Sequence, residues 1–162
     1  MLCVEDLVNL DPFQRLPQER LEWVCDRAQI VELGAGEILV HEGDPARGVF
    51  ILVAGQMSIT RRSEGIDIPI RQHEAPSFFG EITALTDEPV PVTMRASADC
   101  RLYEIEADDF LKLLHECRDF ERTVFRIVQR RTRGLESFIR GREKMAALGT
   151  LSAGLAHELN NT

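Results

Sequence analysis

The sequence lacks several features, and each absence excludes a class of protein. Its 162 residues contain no apolar run of 18, so no membrane-spanning helix is expected. The start of the chain, Met1 to Asp6, has neither the basic region nor the apolar core of a signal peptide, and a cytoplasmic location is the expectation. Four cysteines, Cys3, Cys25, Cys100 and Cys117, form no Cys-x-x-Cys pair, so neither a zinc ribbon nor a redox motif is indicated. They read as buried free thiols in a reducing compartment. His41, His73 and His115 have no carboxylates at metal-ligand helical spacing, and no metal site is expected. There is no Walker glycine loop, and no Ser or Thr sits in a nucleophile motif.

What is present fits a globular chain of one domain with an appendage, 44% hydrophobic by composition. The net charge of −8 is unevenly spread. Residues 1–117 hold 22 acids against 10 Lys and Arg, a net of −12, whereas 118–144 hold 4 acids against 9, a net of +5. An acidic body of this kind argues against a nucleic-acid surface. The basic run Arg118, Arg122, Arg126, Arg130, Arg131 and Arg133 falls largely on one helical face. A solvated face, a salt-bridging partner for the acidic body and a contact with anionic lipid all fit it.

The organising stretch runs from Phe79 to Ala96. It reads as a strand end, a glycine turn at Gly80, about one helical turn over 81–85, a proline turn at Pro89 and a new strand. In that strand Val92, Met94 and Ala96 alternate with Thr93 and Arg95. Gly80 allows a backbone geometry that other residues resist, and the amides opening the short helix could cradle an anion. A plain helical connection between two strands fits the same residues.

Around that stretch the period changes twice. Leu2–Leu10 reads as a short helix broken at Asp11-Pro12, and Leu16–Val24 as a second, with Pro17 in its first turn. From Ile30 the period is two. Short strands are expected at 30–33, 37–41, 48–53, 56–61, 66–70 and 99–105, punctuated by Gly34, Gly36, Gly43, Gly55 and Gly65. The all-apolar 48–53 suits a strand covered on both faces, and Pro69 places 66–70 at a sheet edge. From Ala107 the chain is helical, with a stripe through Leu111, Leu114, Phe120, Val124, Ile127 and Val128 that continues to Leu159. Such a helix cannot bury its stripe on one small domain alone, so a second copy of the same helix is the expected partner, making a homodimer. The fold class expected is α+β: a β-roll or jelly roll with flanking helices and a long C-terminal dimerisation helix.

Residues 13–117 resemble the cyclic-nucleotide-binding domain found in catabolite-activator-type regulators, cyclic-nucleotide-dependent kinases and gated channels. The resemblance is carried by Gly36 with Ile38, Glu42-Gly43-Asp44, Phe50 to Gly55, Phe79-Gly80-Glu81 and Pro89 to Ala96. It implies that 79–96 is a phosphate-binding cassette. Gly80 and the amides after it would hold a cyclic phosphate, Glu81 would accept from a ribose hydroxyl, and Gly80, Glu81, Ile82 and Thr93 would line the site for cAMP or cGMP. One residue departs from the family pattern. Where the family has an arginine after the cassette proline, this chain has Val90. Losing a charge-assisted bond to a bound anion costs about 1.5–3 kcal/mol, or one to two decades of affinity. Arg47, Arg71 and Arg95 are the cations that could act in its place.

Residues 142–161 resemble the start of a sensor histidine kinase dimerisation and phosphoacceptor domain, through Arg142-Glu143-Lys144-Met145 and Leu155-Ala156-His157-Glu158-Leu159-Asn160-Asn161. The resemblance implies that His157 is the phosphorylated residue, that Glu158 orients or deprotonates its imidazole, and that Asn161 assists dephosphorylation. Neutral imidazole is a competent nucleophile near neutral pH. His157 and Asn161, four residues apart, share a helix face.

The reading is thus three parts: a sensor domain at 1–117, a signalling and dimerisation helix at 118–144, and the start of a phosphoacceptor helix at 145–162. The function implied is the regulatory portion of a cytoplasmic two-component sensor histidine kinase. ATP and Mg²⁺ would act in the parent protein and a response-regulator receiver domain would be the partner. The ATP-holding glycine boxes are absent from these residues, so this stretch alone would not phosphorylate itself. The alternatives are a ligand-responsive transcription regulator and a non-catalytic cyclic-nucleotide-binding module.

Overall fold

The computed structural model describes residues 2–134 and Gly141. Val128 closes the first of two compact units. The chain starts with α1 (Leu2–Leu7), a 3-10 turn at Phe13–Arg15 and α2 (Gln18–Arg27). Eight strands follow: β1 (Gln29–Leu33), β2 (Ile38–Val40), β3 (Gly48–Ala54), β4 (Gln56–Ser63), β5 (Ile66–Glu74), β6 (Ser77–Phe79), β7 (Thr93–Ala96) and β8 (Cys100–Glu106). A short helix, α3 (Glu81–Thr86), joins β6 to β7, and α4 (Ala107–Glu116) follows β8. Cys117 is extended, and a further helix, α5, occupies 118–134.

The strands form two four-stranded antiparallel sheets, ordered β1-β8-β3-β6 and β2-β7-β4-β5. This is the expected α+β roll with flanking helices, and β5, carrying Pro69, lies at an edge. Because side chains alternate across a strand, the first sheet separates two cores. Val49 and Ile51 of β3, Phe78 of β6, and Tyr103 and Ile105 of β8 face a core shared with the helices. Their neighbours Phe50, Leu52, Phe79, Cys100 and Leu102 face the roll interior, joined there by Met57, Ile59, Met94 and Ala96 of the second sheet.

The helical core is aromatic at its centre. Phe13 lies 5.5 Å from Phe78 and 5.4 Å from Phe120, and Phe110 meets both Phe78 and Phe120 at about 6 Å, all at angles that ring quadrupoles favour. On the outside, Arg20 pairs with Glu116 at 2.7 Å and Arg27 with Asp109 at 3.5 Å, while Arg27 and Lys112 both lie over the Trp23 ring. These contacts tie α2 to α4.

Three expectations need correction. Cys3 and Cys25 are joined in a disulfide, with Cα atoms 5.6 Å apart, rather than being free thiols; Cys100 and Cys117 are free. Spacing in sequence gave no sign of the pair because α1 and α2 are brought together only by packing on the same core. The α4 stripe also differs: Leu113 and Leu114 are buried with Phe110, while Leu111 is exposed. Finally, the first part of α5 does not depend on a second copy. Phe120 and Val124 are fully buried against the domain's own core, with Ile127 and Val128 packed on it, although Phe125 remains 52% exposed. Arg118, Arg122, Arg126, Arg130 and Arg133 of the basic run are exposed, whereas Arg131 is half-buried. Among the described residues, no helix is long and apolar enough to cross a membrane.

Candidate ligand site

The 79–96 segment folds as its residues suggest. Gly80 caps α3 with φ of +92°, a left-handed conformation, and a Cβ there would fall 2.7 Å from the Gly48 carbonyl oxygen. Both constraints demand glycine. Thr83 donates its hydroxyl to the Gly80 carbonyl at 3.1 Å, and Asp87, also left-handed, ends the helix by donating its amide to the Thr83 carbonyl. Glu81 is 1% exposed and held by an interaction within the protein, Ile82 is half-buried, and Ala84 packs on the helical core.

Thr93 opens β7 and its hydroxyl accepts the Glu42 amide at 3.0 Å. The Glu42 carboxylate accepts the Arg62 amide of β4 at 2.8 Å. The Gly43 amide donates to the Val90 carbonyl at 2.7 Å, and the Val90 amide donates to the Asp44 carbonyl at 2.8 Å. The Asp44 carboxylate in turn accepts the His41 amide at 2.8 Å. The turn at 41–44 is therefore strapped to both ends of the 90–93 segment. Sequence reading placed Glu42-Gly43-Asp44 and Pro89–Ala96 in one motif set but could not show that they bond to each other, 46 residues apart at Val90 and Asp44.

Val90 is 6% exposed and belongs to the roll interior with Leu39, Val40, Phe50, Phe79 and Met94. Of the three arginines that could replace a cation here, two are engaged by other partners. Arg47 forms a forked pair with Glu104, at 2.9 and 2.7 Å, donates to the Leu39 carbonyl at 3.0 Å and lies over the Phe50 ring. Arg95 donates to the Gly36 carbonyl at 2.8 Å, and Arg71 is exposed on edge strand β5. His73 stacks on Phe79 with ring centres 5.0 Å apart and shares a hydrogen bond with Ser77 at 3.0 Å. An open depression of about 460 Å³, bordered by Glu32, Gly34, Asp99 and Arg101, shares no residue with the 79–96 segment.

Comparison with known proteins decides the family. Residues 30–117 match the cyclic nucleotide-binding domain. The chain belongs to that family. A cAMP-dependent protein kinase regulatory subunit from Emericella nidulans is 29% identical over 108 residues, 67% of this chain and 24% of that protein. The chain thus spans about a quarter of the length of the curated relatives it matches first. Among solved structures, the sensor domain of the transcriptional regulator DNR from Pseudomonas aeruginosa superposes with a TM-score of 0.72 at 20% identity, covering 78% of this chain and 86% of that one. The regulatory subunit of a cAMP-independent protein kinase A from Trypanosoma brucei gives 0.70 at 16% identity, covering 78% and 46%. At these identities the structural likenesses establish the fold. The residues expected to carry phosphotransfer, His157, Glu158 and Asn161, and the expected dimerisation seam beyond 134, lie outside the described residues.

Proposed function

We propose that the chain is the sensory and phosphoacceptor-bearing part of a cytoplasmic two-component sensor histidine kinase. The observation that carries the proposal is the run Met145 to Asn161, which resembles a phosphoacceptor box and follows a cyclic nucleotide-binding domain in one polypeptide. In this reading a ring nitrogen of neutral His157 attacks the γ-phosphorus of ATP and ADP leaves. Glu158 accepts the proton from the other ring nitrogen, and Asn161 assists the later loss of the phosphoryl group to water. ATP and Mg²⁺ are supplied by a nucleotide-binding domain elsewhere in the parent protein, and the phosphoryl group passes to the aspartate of a response-regulator receiver domain. The working unit is a homodimer through the C-terminal helix.

The link from sensor to effector is supported by packing. The interior-facing Phe79 and the helix-facing Phe78 are neighbours on one strand, and Phe78 touches Phe13 and Phe110. A change in the roll interior therefore has a short mechanical path to α4 and the first turns of α5. The test is phosphorylation of the complete gene product containing this chain by labelled ATP with Mg²⁺. The expected product is an acid-labile, base-stable phosphate that disappears in His157→Gln. Label retained in that variant, or none in the parent, contradicts the proposal.

A second reading, a non-catalytic cyclic-nucleotide module or ligand-responsive transcription regulator, is favoured by the retained Gly80 and buried Glu81. Relatives include cAMP-dependent kinase regulatory subunits, and also one described as belonging to a cAMP-independent kinase. The cyclic-nucleotide module of that second reading requires micromolar binding of cAMP or cGMP.

A further inference from the structure

We infer that Val90 is the roll's built-in occupant, so that the domain reaches its closed, ordered state without a cyclic nucleotide. The inference concerns the sensor alone and stands or falls independently of His157.

The first ground is burial. Val90 lies within the interior cluster with Leu39, Val40, Phe50, Phe79 and Met94, and Val92 is 8% exposed in the same cluster. At Val90 and Val92 the segment thus offers hydrocarbon, which dehydrates an entering phosphate without returning a hydrogen bond. The second ground is the strap. The reciprocal pair of backbone bonds between Val90 and Gly43-Asp44 fixes the depth to which Val90 enters. The Glu42 amide on Thr93 and the Glu42 carboxylate on the Arg62 amide brace the turn from outside, and the Asp44 carboxylate on the His41 amide closes it from within. Thr93, one of the residues expected to line a ligand site, has its hydroxyl engaged in this strap. The third ground is charge. Arg47 and Arg95 are already engaged by Glu104, Leu39 and Gly36, and Arg71 is exposed on edge strand β5.

A built-in occupant predicts order in the absence of any added ligand. Amide hydrogen exchange, followed by peptide mass spectrometry on the 162-residue chain, reads it directly. In the unmodified protein the amides of 41–45 and 88–93 exchange slowly, and about 1 mM cAMP or cGMP leaves their rates unchanged within about twofold. In Val90→Gly, which removes the side chain and keeps the backbone, both segments exchange at least about tenfold faster while α4 stays protected. Because Val90→Gly could unfold the domain, Glu42→Gln supplies a second arm: it keeps the core and weakens only the carboxylate bond to Arg62, and it accelerates the same two segments together. Fast exchange of both segments in the unmodified protein, slowed at least about tenfold by either nucleotide, overturns the inference. So does unchanged protection in both variants.

Discussion

The two cores on either side of the β1-β8-β3-β6 sheet share strands β3, β6 and β8 and are otherwise built differently. The helical core is aromatic and closed by ion pairs; Phe13, Phe78, Phe110 and Phe120 meet at its centre, and Arg20–Glu116 and Arg27–Asp109 lock α2 to α4 outside. The roll interior is mostly aliphatic and thioether, with Met57, Ile59, Val90, Val92 and Met94, and it is closed by backbone hydrogen bonds of the 41–44 turn. Large rings in edge-on and tilted packing tolerate little displacement, whereas the smaller aliphatic groups of the roll depend on the strap for their placement. The contrast sets ring packing on the side that holds α4 and the start of α5 against a hydrogen-bonded strap on the side of the 79–96 segment.

Substitutions sharpen this comparison. The largest effect is expected on the aromatic side: Phe78→Ala or Phe120→Ala should lower unfolding free energy by about 3–5 kcal/mol, measured by urea denaturation. A loss below about 1 kcal/mol would show that the ring cluster is not the mechanical centre. Next, Gly80→Ala places a Cβ against the Gly48 carbonyl at a left-handed φ and should cost about 2 kcal/mol or more. Val90→Ala, on the aliphatic side, should cost about 1–3 kcal/mol, less than the rings because fewer atoms are removed. Arg47→Ala breaks a partly exposed forked pair with Glu104 and should cost about 1 kcal/mol.

The smallest effect is a pH dependence at the α1 contact. Tyr103 donates its hydroxyl to the Asp6 carboxylate at 3.0 Å, and burial, followed by that carboxylate, raises its pKa above the ordinary tyrosine value. The folded state therefore holds the phenolic proton more tightly than the unfolded chain. This contribution is complete below the unfolded-state pKa and is lost as pH rises through the folded one. Tyr103→Phe should be slightly less stable at neutral pH, and its stability should fall less than the parent's between about pH 9 and 11. Equal alkaline slopes would remove Tyr103 from the account.

Much of this architecture is visible in local pattern. Alternation at Val92, Met94 and Ala96, the all-apolar 48–53 and the glycine turns placed the strands and the cassette because strand period and positive φ are local properties. Pairing across distance was not visible. Cys3 and Cys25 are 22 residues apart, Arg47 and Glu104 are 57 apart, and the Val90–Asp44 bond spans 46; helix packing sets the first, and the arrangement of the strands and their loops sets the other two. Phase was the other gap. On α4 the buried stripe takes Phe110, Leu113 and Leu114 and leaves out Leu111, because a ten-residue helix with apolar residues at 110, 111, 113 and 114 supports two stripes and only packing of Phe110 against Phe78 and Phe120 selects one. Val90 was legible as a missing arginine but not as a buried side chain, since burial depends on the turn at 41–44 that holds it.

Calorimetric titration of the unmodified chain with cAMP and cGMP tests the central claim most directly. A roll occupied by its own Val90 gives no binding heat for either nucleotide up to about 1 mM. Saturable binding with a micromolar Kd for either one would contradict it.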